Sequence, residues 1–482
     1  MINFRIIARV FSILLIIEGL LMLFSALISL IFKEQTAGSF LYSALITTVT
    51  GIIVFTPLRN VEKVYGNREG YIIVTGIWLI FTLFGTLPFL FSGSITNFTD
   101  AFFESMSGFS TTGATILTDV ESMPRGILFW RSLTQWLGGM GIIFLSLYVL
   151  PLFKDINIQL TTTEFSGQPS DKLHPRTVDT GKRLIAIYVI LTLTEAILLA
   201  AGGMSVFDAI CHSFGTLSTG GFSTHNNGLS AYSSPFIKVV ITLFMFIAGT
   251  NMAVVYFGIK RNFRKIIRNN EFVFYFVICL VFSILVSIVL QQNSVYSTRD
   301  SIINGTFHAI STITTTGYYT DNYNLWGNFL ILILFILMFT GGTAGSTSGG
   351  VKIVRLMIMT KNNRMELRRL IHPNAFIPVR LDRRIVQQNI VYNVLVFVTL
   401  YFLIICMSAI VISFMGYDII TSFGTSAAML GNIGPGLGTF GPFTNYSALP
   451  LAGKWFMTAL MLLGRLELMT VLILFSRSFY RK

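Results

Sequence analysis

Charge is what this sequence has least of. Asp, Glu, Lys and Arg make up 11% of its 482 residues, where ordinary soluble domains carry about 25%. So few charges cannot cover the surface of a soluble enzyme of this length. Disorder is excluded as well, because it needs low hydrophobicity together with high charge. Acidic residues are the scarcer sign, 21 against 34 basic, for a net charge of +13. Cysteine is almost missing. Cys211, Cys279 and Cys406 stand far apart in apolar stretches. That leaves no metal spacing and no disulfide framework, and they read as small buried hydrophobes. Histidine is equally thin. His174, His212, His225, His308 and His372 are scattered, with no His/Glu metal pair and no nucleophile–base constellation. The pattern points away from an enzyme.

What is present is apolar. Hydrophobic residues reach 53% and the mean hydropathy is +0.72, which reads as an integral membrane protein. Runs long enough to span, about 20 residues, lie near 7–32, 40–57, 71–91, 127–150, 183–202, 236–259, 272–291, 327–357, 387–415 and 453–476. The first run follows Arg5 and Arg9, exceeds the roughly 7–15 residues of a signal h-region, and reads as a retained helix. Half-apolar segments near 99–111, 206–218, 302–315 and 417–431 are too short to cross and read as re-entrant. A basic balance in a soluble protein would suggest nucleic acid. Here 27 of the 34 Lys and Arg fall in the alternating segments 1–9, 58–70, 151–183, 260–271, 352–386 and 477–482. The positive-inside rule then makes both termini cytoplasmic and the half-apolar segments external. No nucleic-acid partner is expected, and membrane lipid is.

From residue 71 the order span, short segment, span, basic loop occurs four times. The expected units are 71–180, 181–270, 271–386 and 387–482, after two additional helices in 1–70. Each short segment ends in a related string: Ser110-Thr111-Thr112-Gly113-Ala114, Leu217-Ser218-Thr219-Gly220-Gly221, Thr314-Thr315-Thr316-Gly317-Tyr318 and Gly431-Asn432-Ile433-Gly434-Pro435. Aligned on Gly113, Gly220, Gly317 and Gly434, the strings repeat about every hundred residues. The expected fold is therefore all-α, with about ten transmembrane helices. Four helix–pore loop–helix repeats stand in pseudo-fourfold arrangement around one ion pore. Rings of backbone carbonyls from four such loops replace a potassium ion's hydration shell in known filters. Glycine allows the backbone dihedrals needed, and a short helix ending at the loop turns its partial negative charge toward a cation. The candidate potassium-binding residues are Thr111, Thr112, Gly113, Ser218, Thr219, Gly220, Thr315, Thr316, Gly317, Asn432, Ile433 and Gly434. A lone Thr-Thr-Gly would be a tight turn between helices; four at matching places favour a filter. The fourth string lacks Thr-Thr and predicts a distorted but functional quarter.

Three further features stand out. The stretch Gly341-Gly342-Thr343-Ala344-Gly345-Ser346-Thr347-Ser348-Gly349-Gly350 interrupts a long span with residues that make a poor helix. It fits a broken segment beside a cavity better than a small-residue packing face. It lacks the Gly-Lys-Ser/Thr order of a phosphate loop. Gly436-Leu437-Gly438-Thr439-Phe440-Gly441 matches a dinucleotide fingerprint in form only, for no soluble strand precedes it and Pro435 and Pro442 flank it. Arg465 lies within the last span, where a charge is costly and functional by default. A pair with Glu467, two residues on, would have to reach another helix face. Glu104, nine residues before Gly113, reads either as added negative potential near the loop or as a buried scaffold residue.

Together these strings resemble the Trk/Ktr/HKT superfamily of cation transport proteins, and its TrkH-like branch in particular. So do Ser218 to Thr224, Gly341 to Gly350, Asn432 to Gly438, His372-Pro373-Asn374 and Gly464-Arg465-Leu466-Glu467. The likeness covers essentially the whole chain. It implies a potassium-selective conduit in a bacterial inner membrane, working as a homodimer with a TrkA-type cytosolic regulatory ring. That ring would carry the nucleotide (ATP/ADP or NAD); no cofactor is expected in this chain, and K+ is cargo. It implies that Gly341, Gly342, Gly345, Ser346, Ser348, Gly349 and Gly350 form an intramembrane gate held by Arg465. It also implies potassium preference, because serine at the first filter glycine accompanies sodium permeation and this chain has Gly113. The alternative is a proton- or sodium-coupled secondary transporter, which also uses repeats and broken helices.

Overall fold

A computed structural model describes residues 2–61, 66–144, 177–293, 296–372, 374–375, 377–382 and 384–480. Most of the 151–183 basic segment, and the end of the span expected at 127–150, lie outside these residues. The regular structure of the described residues is helical apart from one two-residue antiparallel ladder, Arg380–Leu381 with Arg384–Ile385, and an isolated bridge between Thr340 and Val351. Among the described residues six helices are long and apolar enough to cross a membrane: Phe4–Ile31, Ala37–Leu58, Arg68–Phe91, Gly181–Ala201, Asn270–Gln292 and Gln388–Phe414. Two bent pairs bring the number to eight.

The bends correct the expectation of continuous spans at 236–259 and 453–476. Pro235–Ala248 and Met252–Ile259 meet at 114°, and Leu451–Arg465 and Met469–Phe475 at 110°. Asn251 ends the first break by accepting a hydrogen bond from Ala253 N at 2.8 Å, capping the next helix. The second break passes through Glu467 and Leu468, both at positive φ. The two other expected spans are present in different form. Arg125–Phe144 carries its polar residues inward, and Asn328–Leu337 stops at the Gly/Ser/Thr stretch before Ile353–Ile371 resumes.

Helices Phe4–Ile31 and Ala37–Phe55 form a tight hairpin outside the four repeats. A Cβ on Gly19 would lie 2.2 Å from Thr48 Oγ1, so small residues at the crossing let the backbones approach.

Four short half-helices, Phe98–Phe109, Val206–Leu217, Thr298–Ile313 and Ile419–Gly431, occupy the centre. Each begins at a side chain that caps its first turn. Asn97 accepts from Thr99 N, Ser205 from Asp208 N, Ser297 from Asp300 N and Asp418 from Thr421 N. The half-helices are arranged in a cycle. The first packs against Arg125–Phe144 of its own repeat and Leu451–Arg465 of the fourth; the second packs against Pro235–Ala248 and Arg125–Phe144. Lys454 closes the circle with an ion pair to Asp100 at 2.6 Å.

Cys211 and Cys279 are buried as expected, but Cys406 is exposed. It sits on the outward face of the apolar helix Gln388–Phe414, where the sequence cannot distinguish a lipid-facing position from a protein core.

Candidate functional site

Each half-helix unwinds into its loop through the same backbone turn. Thr111, Thr219, Thr315 and Asn432 have φ of 52°, 53°, 57° and 54°. This left-handed region is strained for any side chain and most of all for a β-branched one. The next residue's N–H returns to the half-helix in all four: Thr112 N to Ser107 O, Gly220 N to Gly215 O, Thr316 N to Ser311 O, and Ile433 N to Ala428 O. Two residues after the strained position comes a glycine at positive φ: Gly113 (79°), Gly221 (74°), Gly317 (76°) and Gly434 (95°).

That register corrects the second loop. Its counterpart of Gly113 is Gly221, and Gly220 stands where the others have Thr112, Thr316 and Ile433. Two adjacent glycines made the alignment ambiguous, and the hydrogen-bond pattern resolves it. The fourth loop is also less distorted than expected, since Asn432 takes the same backbone conformation as the three threonines.

The four glycines meet the neighbouring loops in turn. A Cβ on Gly113 would lie 2.0 Å from Gly220 O, and one on Gly221 2.0 Å from Thr316 O. On Gly317 it would lie 1.7 Å from Ile433 O, and on Gly434 2.5 Å from Thr112 O. Each glycine thus abuts a carbonyl of the next repeat, and the fourth abuts the first. The result is a closed ring of backbone in which no side chain fits. Its side chains turn back into protein. Thr112 Oγ1 bonds Ser110 Oγ at 2.7 Å, Thr316 Oγ1 bonds Thr314 Oγ1 at 2.8 Å, and Ser218 Oγ donates to Phe214 O at 2.7 Å. Asn432 Nδ2 donates to Thr112 Oγ1 at 2.9 Å, stitching the last loop to the first.

Beside the first loop, Glu104 pairs with Arg131 at 2.8 Å and accepts from Ile116 N at 2.9 Å. Its charge is compensated and it straps the chain leaving the loop, which is the scaffold reading. Farther out, Asn226 Nδ2 donates to Asp119 Oδ1 at 2.8 Å. That bond holds the Asp119 carboxyl below its ordinary range.

The Gly/Ser/Thr stretch lies directly against the ring. Its neck is pinched by a parallel bridge between Thr340 and Val351, with Gly341 N donating to Val351 O at 2.8 Å. Gly342 N donates to Ser348 Oγ at 2.8 Å, and Ser346 Oγ bonds Ser348 Oγ at 2.8 Å. Asn251, at the 114° bend, donates to Ala344 O at 2.6 Å, and Met252 N donates to Gly345 O at 3.4 Å. Gly349 N donates to Thr315 Oγ1 at 2.7 Å, and Thr347 Oγ1 donates to Leu217 O at 3.0 Å. Gly350, at φ 65°, closes the turn back to the neck. Arg465, buried at the end of Leu451–Arg465, donates from Nη1 to Thr347 O at 2.8 Å and from Nη2 to Gly138 O at 3.0 Å. Glu467 pairs instead with Arg355 at 2.6 Å.

Sequence reasoning missed the inner face of Arg125–Phe144. Arg131, Gln135 and Gly138 fall on one helical stripe and touch three things in succession: the outer chain, the ring and the Arg465 anchor. Gln135 Nε2 donates to Gly220 O at 2.6 Å, and a Cβ on Gly138 would lie 2.0 Å from Phe109 O. The only signal was polar residues and a glycine pair in an otherwise apolar run.

Comparison with known proteins agrees with this architecture over the full length. The family profile described as TrkH, cation transport protein, matches residues 45–480. The Trk system potassium uptake protein TrkH of Escherichia coli is 37% identical over 484 residues, covering 100% of both chains. Its counterpart in Halomonas elongata is 35% identical, again over 100% of both. The crystal structure of the potassium transporter TrkH from Vibrio parahaemolyticus superposes with a TM-score of 0.91 at 31% identity, covering 100% of both chains.

Proposed function

This chain belongs to the TrkH family of cation transport proteins, and we propose that it is a multi-pass potassium uptake subunit whose four-loop ring selects the ion. The observation that carries the reading is the closed ring. Four glycines at positive φ each abut a carbonyl of the next loop. A ring of backbone oxygens can replace the hydration shell of a monovalent cation. Four half-helices end there, and their C-terminal dipoles favour positive charge. In this reading Thr111, Thr112, Gly113, Thr219, Gly220, Gly221, Thr315, Thr316, Gly317, Asn432, Ile433 and Gly434 line or shape the ion sites. Ser218 supports them from the half-helix.

The stretch Gly341–Gly350 acts as the gate. It covers the inner side of the ring, and Arg465 ties it to a different repeat through Gly138. A cytosolic regulatory ring that binds nucleotide would move the helices on either side of the loop. The exposed basic residues Arg261, Arg264 and Arg268 offer it a docking surface. The working unit is a homodimer in a bacterial inner membrane with both termini cytoplasmic, consistent with the clustering of Lys and Arg.

The test is cation flux into liposomes holding the purified chain, comparing K+, Rb+, Na+ and Li+, with and without a regulatory ring and nucleotide. Flux favouring K+ and Rb+ supports the reading; flux without preference refutes the selective ring. One observation favours a coupled transporter instead. Glu18 is buried in the first helix with neither carboxylate oxygen hydrogen-bonded among the described residues. Flux that needs a proton gradient and is lost in Glu18→Gln would favour that reading.

A further inference from the structure

The ring is fourfold in backbone but not in support. At the position before the ring glycine, three loops carry Thr112, Thr316 and Ile433, while the second carries Gly220. The φ of Gly220 is not positive, so its backbone does not demand glycine. What occupies the side-chain space there is Gln135. A Cβ on Gly220 would lie 2.5 Å from Gln135 Cδ, 2.7 Å from Oε1 and 2.8 Å from Nε2. The carboxamide of Gln135, reaching in from helix Arg125–Phe144, fills the volume that the other loops fill with their own side chain.

The carboxamide also makes two hydrogen bonds. Nε2 donates to Gly220 O at 2.6 Å, and Oε1 accepts from Phe222 N at 3.1 Å. Its two bonds therefore bracket the peptide groups on either side of Gly221. Among the described residues, Gly220 O is the only one of the four equivalent carbonyls that receives a side-chain hydrogen bond. Yet it keeps the common geometry. Its 2.0 Å approach to the Cβ position of Gly113 falls within the 1.7–2.5 Å found around the ring. Gln135 is itself fully buried, so the bonds are not shared with water.

Resting on the selective-ring reading, we infer that Gln135 is a positioning residue for ion selection. It supplies the second quarter of the ring with both volume and orientation, in compensation for the missing side chain at Gly220. The placement and number of carbonyl oxygens around the ion set how such a ring discriminates between cations. Gln135 and Gly220 therefore form one unit split between two elements.

The experiment measures the K+/Na+ flux ratio of full-length protein in liposomes, normalised to incorporated protein. The variants are Gln135→Ala, Gln135→Glu, Gly220→Thr and the double substitution Gln135→Ala with Gly220→Thr. Gln135→Ala and Gly220→Thr should each lower the ratio about tenfold, the scale of one buried polar group left unpaired. The double variant should recover to within about threefold of the unsubstituted protein, because the threonine then occupies the vacated space. Gln135→Glu keeps the size and the acceptor but loses the donor to Gly220 O. It should lower the ratio like alanine, and it decides the matter if the alanine variant fails to reach the membrane. An unchanged ratio in Gln135→Glu, or a double variant worse than either single one, overturns the inference. Gly113→Ser is the parallel measurement. If it lowers the ratio while the Gln135 variants do not, this inference falls and the selective ring stands. If neither changes the ratio, the selective ring falls too.

Discussion

Removing the Arg465 guanidinium is the sharpest perturbation of the proposed gate. Two charge-assisted hydrogen bonds, at 2.8 Å to Thr347 O and 3.0 Å to Gly138 O, are all that join the loop to the first repeat through this residue. Only the bond to Thr347 O reaches the loop itself, and the bond to Gly138 O follows it in series. A bond to a charged group contributes about 1.5–3 kcal/mol, so Arg465→Ala removes about that much tethering. Part of this is offset, because a buried guanidinium carries a desolvation penalty that alanine does not. A net change of about 1.4 kcal/mol in the loop's closed-to-open balance corresponds to a rise of about tenfold in flux without the regulatory ring. The assay is 86Rb+ uptake into liposomes, normalised to incorporated protein. Arg465→Lys separates tether from charge, since lysine keeps the positive charge but cannot span two carbonyls as a planar fork. Lysine behaving like alanine supports the tether; lysine behaving like the unsubstituted protein assigns the effect to charge alone. Unchanged or lower flux in a well-incorporated alanine variant refutes the gate.

Three other outcomes are expected. Gly113→Ser places a Cβ 2.0 Å from Gly220 O at a φ of 79°. The backbone penalty is roughly 1–2 kcal/mol, one of the two loops must shift, and the K+/Na+ flux ratio should fall about tenfold; an unchanged ratio separates this glycine from selection. Gly349→Ala sets a Cβ 2.3 Å from Gly431 O, which pushes the loop off the ring. Ring-independent 86Rb+ flux should rise several-fold, and unaltered flux would mean the loop does not close the path. Glu104→Ala leaves Arg131 buried without its partner, a loss of about 3–5 kcal/mol. Thermal unfolding in detergent should shift down by several degrees, and an unshifted transition would show that the pair carries little of the fold.

The features legible in the sequence were those whose cause is local. A glycine-ended string recurs in every repeat, beside half-apolar segments too short to span and apolar runs of spanning length. Those marks located all four half-helices and three of the four ring glycines. The features that escaped have causes in another part of the chain. Gly220 and Gly221 are interchangeable by composition, and it is the positive φ of Gly221, two residues past Thr219, that decides which one takes the place of Gly113. The bend at Leu466–Leu468 contains no proline or glycine itself, although Gly464 stands just before it. Glu467 turns there to meet Arg355, whose guanidinium lies over the Phe397 ring at 3.8 Å. Gln135 reads as a stray polar residue in a membrane span until Gly220 is seen to lack a side chain opposite it. The same reasoning explains how a fourfold ring can be built from four unequal strings. The backbone turn is repeated, because every quarter must present one carbonyl at one radius. The support behind it is not, because each quarter meets a different neighbour: Asn432 and Thr112 bond each other, Thr315 accepts from the Gly349 amide, and Gly220 packs on Gln135. If the ring selects the ion as proposed, substitutions at these supports, outside the four strings, should alter selectivity as well as substitutions within them.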